Sequence, residues 1–245
     1  MKKKKVLITG ATSDIGVSIA NKMISDGHEL VLVARSKNFK NKYKDFSEKI
    51  NCYTYDLSRV ENISMLFKKI KKDVGPLHSF ISCVGFHDLK PLKTLTSDDI
   101  SRSMLINFIS PIITAQHFSS NLFSTGTSRD IVFISSISNK KPEKGLLSYS
   151  ASKSALTIAS KILALELSTK DIRVNSISPG WVNTQTTQKI KKNMSKDNFE
   201  KIISQYPLGT GNPKDVSELV SFLISKNSNW ITGQDIIIDG GRSLI

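Results

Sequence analysis

The sequence predicts an α/β fold, a doubly wound parallel sheet of about seven strands with helices on both faces. Three observations carry this. Short apolar runs of strand length alternate with helical stretches from one end of the chain to the other. The first run ends in a turn opened by Gly10 and closed by Gly16, with a helical pattern directly behind it. The 245 residues carry no repeat, linker or low-complexity block, so residues 1–245 read as a single domain around one sheet.

Residues 5–9 are the first strand, an aliphatic run stopped by Gly10. Residues 15–25 then place Ile15, Ile19, Ala20, Met23 and Ile24 on one helical face, and Gly27 ends the helix. Residues 29–34 (ELVLVA) and 51–55 are the second and third strands; the first of these is near-continuously apolar, as a parallel strand covered on both faces should be. Ile63, Leu66, Phe67 and Ile70 mark a helix that stops at Gly75 and Pro76. Residues 79–84 are the fourth strand. Residues 97–122 read as one long helix, opened by Ser97, Asp98 and Asp99 and kinked at Pro111. The fifth strand spans 130–134, a helix rich in Ala, Leu and Ile spans 149–168, and the sixth strand spans 172–177. Residues 181–212 lack strong periodicity and are expected to fold over a substrate as a lid. Residues 213–225 are a helix with proline at its start and Val216, Leu219, Val220 and Leu223 inward. Residues 234–238 are the last strand. Ligands of such a sheet collect beyond the carboxyl ends of its strands.

The composition excludes several classes. A chain that is 39% hydrophobic and 23% charged buries a real core, so it is neither disordered nor a disulfide-stapled miniature. Lys2, Lys3, Lys4 and Lys5 precede Val6, Leu7 and Ile8 in imitation of a secretory signal. The apolar part ends at Thr9, however, short of the ~7–15 residues such a signal needs. No apolar run approaches the ~18 residues of a membrane span. A cytoplasmic protein without membrane partners is expected. Cys52 and Cys83 have no CxxC spacing and read as buried thiols. His28, His78, His87 and His117 form no ligand cluster, so no metal site is expected. The net charge of +14 rests on 29 Lys and six Arg scattered along the chain, without a nucleic-acid-binding motif. Nucleic acid is therefore not an expected partner. An anionic small substrate or an acidic carrier remains open.

The turn Thr9-Gly10-Ala11-Thr12-Ser13-Asp14-Ile15-Gly16 fits a dinucleotide pyrophosphate. Gly10 permits the tight turn, Gly16 lets the helix approach the sheet, and the helix N-terminus offers free N–H groups. Asp14 is awkward beside a pyrophosphate and is expected to point away as the helix cap. The second strand ends at Ala34-Arg35, where an NAD site often carries an acidic residue for the ribose hydroxyls; arginine can meet a 2′-phosphate instead. NADP(H) is therefore expected in preference to NAD(H). Asp56, after the third strand, can accept from the adenine amino group or cap a helix.

Ser136, Tyr149 and Lys153 carry the sharpest chemical signal. Tyr149 and Lys153 lie four apart on a helix and share a face, and Ser136 follows the fifth strand. Carbonyl reduction needs a hydride at carbon and a proton at oxygen. A free tyrosine has a pKa of ~10, which a neighbouring ammonium lowers toward neutrality. Lys153 can supply that charge and hold a nicotinamide ribose, while Ser136 places the carbonyl oxygen. Asn107, polar between Leu105, Ile106, Phe108 and Ile109, either anchors a proton-relaying water toward Lys153 or makes a purely local bond.

Taken together, the spacing resembles the short-chain dehydrogenase/reductase family in its single-domain, Rossmann-type form. The likeness runs from Val6 to Gly241. It rests on the glycine turn, Asp56-Leu57, Cys83-Val84-Gly85, Asn107 and Ile134-Ser135-Ser136. It continues through Tyr149-Ser150-Ala151-Ser152-Lys153, the run from Arg173 through Pro179-Gly180, Ile231-Thr232-Gly233-Gln234 and Asp239-Gly240-Gly241. The resemblance implies a catalytic tetrad of Asn107, Ser136, Tyr149 and Lys153. Around the cofactor it implies Gly10, Ser13, Ile15, Arg35, Asp56, Leu57, Val84, Gly85, Tyr149, Lys153, Pro179, Gly180, Val182 and Thr184. It also implies a homo-oligomer, a tetramer or a dimer, built through the helices that start at Ser97 and Tyr149 and through the C-terminal segment. Two departures stand out: Asp14 replaces the middle glycine of the turn, and Ser82-Cys83-Val84-Gly85 replaces Asn-Asn-Ala-Gly.

The expected activity is NADP(H)-dependent hydride transfer between the nicotinamide and a ketone or secondary alcohol, with Tyr149 as general acid/base. A narrower alternative is a 3-oxoacyl-carrier-protein reductase of fatty-acid synthesis. An alternative of another class is a cofactor-binding regulator or scaffold without turnover. Lys140, Lys141 and Lys144, with Lys189, Lys191, Lys192, Lys196 and Lys201 of the 181–212 segment, suit an anionic or carrier-linked substrate, although a general lysine bias explains them as well.

Overall fold

The computed structural model describes residues 3–37, 39, 43, 49–126 and 128–245. Seven strands, β1 (Lys5–Thr9), β2 (Glu29–Ala34), β3 (Ile50–Thr54), β4 (Ser79–Ser82), β5 (Arg129–Ile134), β6 (Ile172–Pro179) and β7 (Asp235–Ile238), form one sheet in the order β3-β2-β1-β4-β5-β6-β7. Every neighbouring pair is parallel, and Leu7 of β1 stands opposite both Val31 of β2 and Phe80 of β4. The helices are α1 (Asp14–Ser25), α2 (Ile63–Val74), α3 (Ser97–Met104), α4 (Ser110–Phe118), α5 (Leu147–Leu167), α6 (Gln185–Lys192), α7 (Lys196–Ile203) and α8 (Pro213–Leu223).

The period-two alternation of the strands divides the core. Val6, Ile8, Leu30 and Leu32 face α1 and α8, where Ile19, Met23, Val216 and Val220 meet them. Leu7, Val31, Val33 and Phe80 face the other layer, with Phe67, Phe118 and Leu156 from α2, α4 and α5. Both faces being covered, the central strands are apolar on both sides. The amino-terminal edge is closed by buried Asp130, which pairs with Lys4 at 2.5 Å and with Arg173, and accepts from Ser79 at 3.1 Å. The sheet grows first toward β3 and then away from it toward β7, so the crevice at the reversal lies beyond the carboxyl ends of β1 and β4.

Several local expectations are corrected. The cap of α1 is Ser13, not Asp14: the Ser13 hydroxyl accepts from the Gly16 amide at 3.0 Å and donates to the Gly10 carbonyl at 2.9 Å. Asp14 is the first helical residue. The helix over 97–122 is not continuous. It is interrupted by a wide π turn over Leu105–Ile109 and ends at Phe118, while Pro111 sits near the start of α4, where a missing N–H costs little. Residues 181–212 contain two helices, α6 and α7, opened by the side-chain caps Thr184 and Ser195. Neither buries a residue completely, which is why the apolar pattern is too weak to announce them.

Candidate active site

The carboxyl edge of the sheet collects the candidate residues because all seven strands point the same way. Gly10 follows β1, Arg35 follows β2, Asp56 and Leu57 follow β3, Val84 and Gly85 follow β4, Ser136 follows β5, and Gly180 follows β6. Gly10 adopts φ +72°, and a Cβ there would sit 2.5 Å from the Cys83 carbonyl oxygen. The turn after β1 therefore lies against the turn after β4. Gly16 is fixed equally hard, since a Cβ there would come within 2.4 Å of the Gly10 carbonyl oxygen. Ile15 is half-buried in the first turn of α1, next to that cradle.

Tyr149 and Lys153 come from the first two turns of α5, and Ser136 from the end of β5. Lys153 is buried, and its ammonium donates to the Ile134 carbonyl at 2.8 Å and lies 6.0 Å from the Tyr149 ring centroid. Burial pushes the Lys153 ammonium down to about 8, against the pull of the nearby Cys83 thiol. Burial likewise raises the Tyr149 phenol above its ordinary value, and a hydrogen bond with Ser136 works the other way. Desolvation of Tyr149 outweighs the Ser136 bond, so the net shift is upward, opposite to the lowering expected from the sequence. The Ser136 hydroxyl also accepts from the Ser138 amide at 3.2 Å, which holds it at the mouth of β5.

Asn107 sits fully buried in the π turn. Its side-chain oxygen accepts from the Phe86 amide at 2.7 Å, and its amide nitrogen donates to the Phe86 carbonyl at 2.9 Å and to the Ser152 hydroxyl at 2.9 Å. It therefore ties the turn after β4 to the residue preceding Lys153. These bonds join Asn107 to residues 21 and 45 positions away in the sequence.

Beyond β2 and β3, Arg35 is exposed, and Asp56 uses Oδ1 to accept from the amide and hydroxyl of Ser58 at 3.1 and 2.8 Å. Burial opposes ionisation of Asp56, but the Ser58 bonds, with Arg35 and Arg59 nearby, hold its carboxyl below the usual range. Leu57 is buried against the core, and Val84 packs at its edge. On the other side, Pro179 ends β6, Val182 is buried and bridged to Gly211, and Thr184 caps α6.

Residues 10–243 match the family model described as enoyl-(acyl carrier protein) reductase. The chain belongs to the short-chain dehydrogenase/reductase family. A tropinone reductase homolog of Arabidopsis thaliana is 30% identical over 97% of this chain and 75% of its own length. Among solved structures, 4-hydroxyisoleucine dehydrogenase complexed with NADH superposes with a TM-score of 0.92 at 28% identity, covering 99% of this chain and 100% of that one. A point variant of actinorhodin polyketide ketoreductase with NADPH gives 0.92 at 25% identity, covering 99% and 98%. As a short-chain dehydrogenase/reductase the chain is an oxidoreductase of the alcohol/ketone class, on a fold that binds nicotinamide cofactors.

The residues present fit such a cofactor. Gly10 and Gly16 leave a backbone cradle at the α1 N-terminus. Gly85 keeps the approach to Lys153 free of a side chain, since a Cβ there would stand 3.8 Å from the ammonium. No carboxylate ends β2, where Arg35 stands in its place.

Two features of this dehydrogenase/reductase escape the sequence. His87 packs its ring against Tyr149, with centroids 4.8 Å apart, and burial lowers its pKa despite Asp88. Its place two residues beyond Gly85 is the only hint in the chain. Asp14 reaches 171 positions along the sequence to accept from the Gln185 amide at 2.5 Å, satisfying an open N–H at the start of α6. No spacing rule reveals that contact.

Proposed function

We propose that the protein is an NADP(H)-dependent oxidoreductase in which Tyr149 exchanges a proton with the oxygen of a ketone or secondary alcohol. The observation that carries this reading is the meeting of Ser136, Tyr149 and Lys153 beyond β5, with the Tyr149 phenol held protonated by burial. A nicotinamide held beside Lys153 would supply hydride chemistry, giving a hydride to the carbonyl carbon in reduction and accepting one from the alcohol carbon in oxidation. The Ser136 hydroxyl donates to the substrate oxygen and orients it. Tyr149 Oη gives its proton to that oxygen in reduction and recovers it in oxidation. Lys153, cationic below about 8, stabilises the phenolate left behind and would donate to the nicotinamide ribose. Asn107 holds the π turn and Ser152, and so fixes the direction of Lys153. The 181–212 segment closes over the site as a lid.

The preference for NADP(H) rests on exposed Arg35 at the end of β2 and the lack of an acidic residue there. Titration with NADPH and NADH, followed by nicotinamide fluorescence, tests it. NADPH is expected to bind more tightly, and Arg35→Ala to weaken NADPH by about 10–100-fold while leaving NADH unchanged, the worth of one or two charge-assisted hydrogen bonds. Tyr149→Phe is expected to keep cofactor binding and lose about 10²–10⁴-fold in turnover. Cofactor binding without hydride exchange, across ketones and an acyl thioester, overturns the catalytic reading in favour of a regulator. Turnover of the thioester alone points to 3-oxoacyl-carrier-protein reduction.

Assembly into a homo-oligomer, and a cytoplasmic location, belong to the same proposal. Ile158, Ile162 and Leu165 form an exposed apolar stripe on α5, 51–79% accessible, which supports the α5 face as an interface. Among the described residues no helix is long and apolar enough to cross a membrane.

A further inference from the structure

Phe86 and His87 follow Gly85 in the turn after β4, and the contacts around them fix where they stand. Asn107 holds the Phe86 backbone at both its polar groups: the Phe86 amide donates to the Asn107 oxygen at 2.7 Å, and the Phe86 carbonyl accepts from the Asn107 nitrogen at 2.9 Å. The Arg102 guanidinium covers the Phe86 ring at 4.4 Å. A residue clamped this way leaves its successor little freedom. The His87 ring is laid against the Tyr149 ring, with centroids 4.8 Å apart and planes tilted by 54°. It is half-buried. Among the described residues no hydrogen bond or ion pair engages its nitrogens, and neither nitrogen is sealed away from solvent. Packing alone would be served as well by a phenyl ring. A half-buried imidazole beside a reacting phenol, with both polar atoms uncommitted, keeps its hydrogen-bonding capacity for a ligand. Burial lowers its pKa from 6.5, with Asp88 pulling the other way, so the ring is neutral at pH 7 and offers one donor and one acceptor.

We infer that His87 is a specificity-determining residue that reads a hydroxyl group on the carbon next to the reacting one, so that the substrates are α-hydroxyketones and, in the reverse direction, vicinal diols. The inference rests on the reading of Tyr149 as the proton-exchanging group. The position of the second oxygen follows from the geometry. The imidazole and the phenol are ring neighbours, so a group held by His87 lies close to the oxygen held by Tyr149, not at the far end of a long substrate. The kind of oxygen follows from the imidazole. A hydroxyl both donates and accepts, so it pairs with whichever nitrogen faces it, protonated or not. A carbonyl pairs with the N–H alone. A carboxylate gains less from an uncharged ring than from a cation. A plain ketone leaves the imidazole without a partner once the substrate displaces water, and is disfavoured for that reason.

The probes are a small α-hydroxyketone and the plain ketone of equal length, each reduced by the full chain with saturating NADPH. The quantity read is the ratio of their kcat/KM values, in which any effect of a variant on Tyr149 that both substrates share cancels. An adjoining hydroxyl also activates a carbonyl chemically, so the change on substitution decides. His87→Phe keeps an aromatic ring on Tyr149 and loses both nitrogens. It is expected to lower the ratio at least tenfold, and His87→Asn or His87→Gln, whose amides keep a donor and an acceptor, to restore part of it. A ratio that His87→Phe leaves in place overturns the inference. If His87→Phe fails to fold, the comparison of His87→Asn and His87→Gln with His87→Ala decides in the same way. If neither ketone is turned over, the oxidoreductase reading fails separately and a binding arm tests His87. Imidazole ¹H–¹³C signals of Tyr149→Phe loaded with NADP⁺ are recorded as each ketone is added, the His87 signals being assigned by their loss on adding His87→Phe. The hydroxyketone is expected to shift them while those of His28 and His117 stay, and the plain ketone at the same concentration to leave them in place. An equal response to the two ketones, or none, overturns the inference in that arm.

Discussion

The glycine turn after β1 and the 181–212 segment face each other across the same crevice, yet they are held in opposite ways. The turn is locked by contacts that leave no room for one carbon: Gly10 against Cys83, and Gly16 against Gly10. Helix α1 buries Gly16, Ile19, Ala20, Met23 and Ile24. Helices α6 and α7 bury no residue completely. They hang on a short list of contacts: the Val182–Gly211 bridge, the Trp181–Phe199 ring pair at 5.8 Å, Lys191 over the Phe199 ring at 4.3 Å, and the Asp14–Gln185 bond. The difference teaches where stability and adaptability reside. The wall built by the glycine turn is part of the core, while the 181–212 wall is attached by contacts that can be exchanged singly.

The largest test of that contrast sets Gly16→Ala beside Ile190→Ala. The first drives a methyl into the Gly10 carbonyl and is expected to cost about 1–3 kcal/mol or more; the second, on a helix with little buried, less than about 1 kcal/mol. Equal shifts in urea midpoint would break the comparison. Brief trypsin digestion sharpens it: cleavage after Lys189, Lys191 or Lys201 is expected at least about tenfold faster than after Lys68 in α2, equivalent to about 1.4 kcal/mol in local opening. Mass spectrometry of the first fragments reads this directly. Asp14→Asn keeps the shape and removes the charge, so the bond to α6 loses about 1 kcal/mol and cleavage in α6 rises about fivefold. An unchanged digestion rate would mean that Asp14 is not a tether. The smallest effect is in pH. Burial lowers the pKa of His28, His87 and His117 from 6.5 in the folded chain. The unfolded chain therefore takes up protons first, and stability present above about pH 6.5 declines as pH falls through the folded values. Urea midpoints at about pH 7.5 and about pH 5.5, with His-to-Gln variants flattening the slope, measure it.

Much of the architecture was legible because the strands are buried on both faces, and burial writes itself as unbroken runs such as ELVLVA in β2. The glycine turn was legible because steric need permits so few residues there. Strand ends were less so. The fourth strand stops at Ser82, before the expected Val84, since the chain must turn away to let Gly85 and Phe86 meet Lys153 and Asn107. The π turn left no trace, because its cause is tertiary: Asn107 trades helical regularity for three bonds to Phe86 and Ser152. Helices α6 and α7 were invisible for want of a buried face. The segment after Arg35 lies largely outside the described residues.

The wide turn at Leu105–Ile109 has a meaning in rotational phase. A regular helix advances about 100° per residue, and a single π turn accommodates one residue more than its surroundings. Everything from Ser110 to Phe118 is thereby rotated relative to α3. That phase lets Ser103 face Ser152 while Ala115 and Phe118 face the sheet. Removing one residue from the turn would restore an unbroken helix and set the two faces against each other: either Asn107 leaves Phe86 or Phe118 leaves the core. The irregularity works like a half-link in a chain drive, and it binds the helix and the site into a single design that neither can abandon alone.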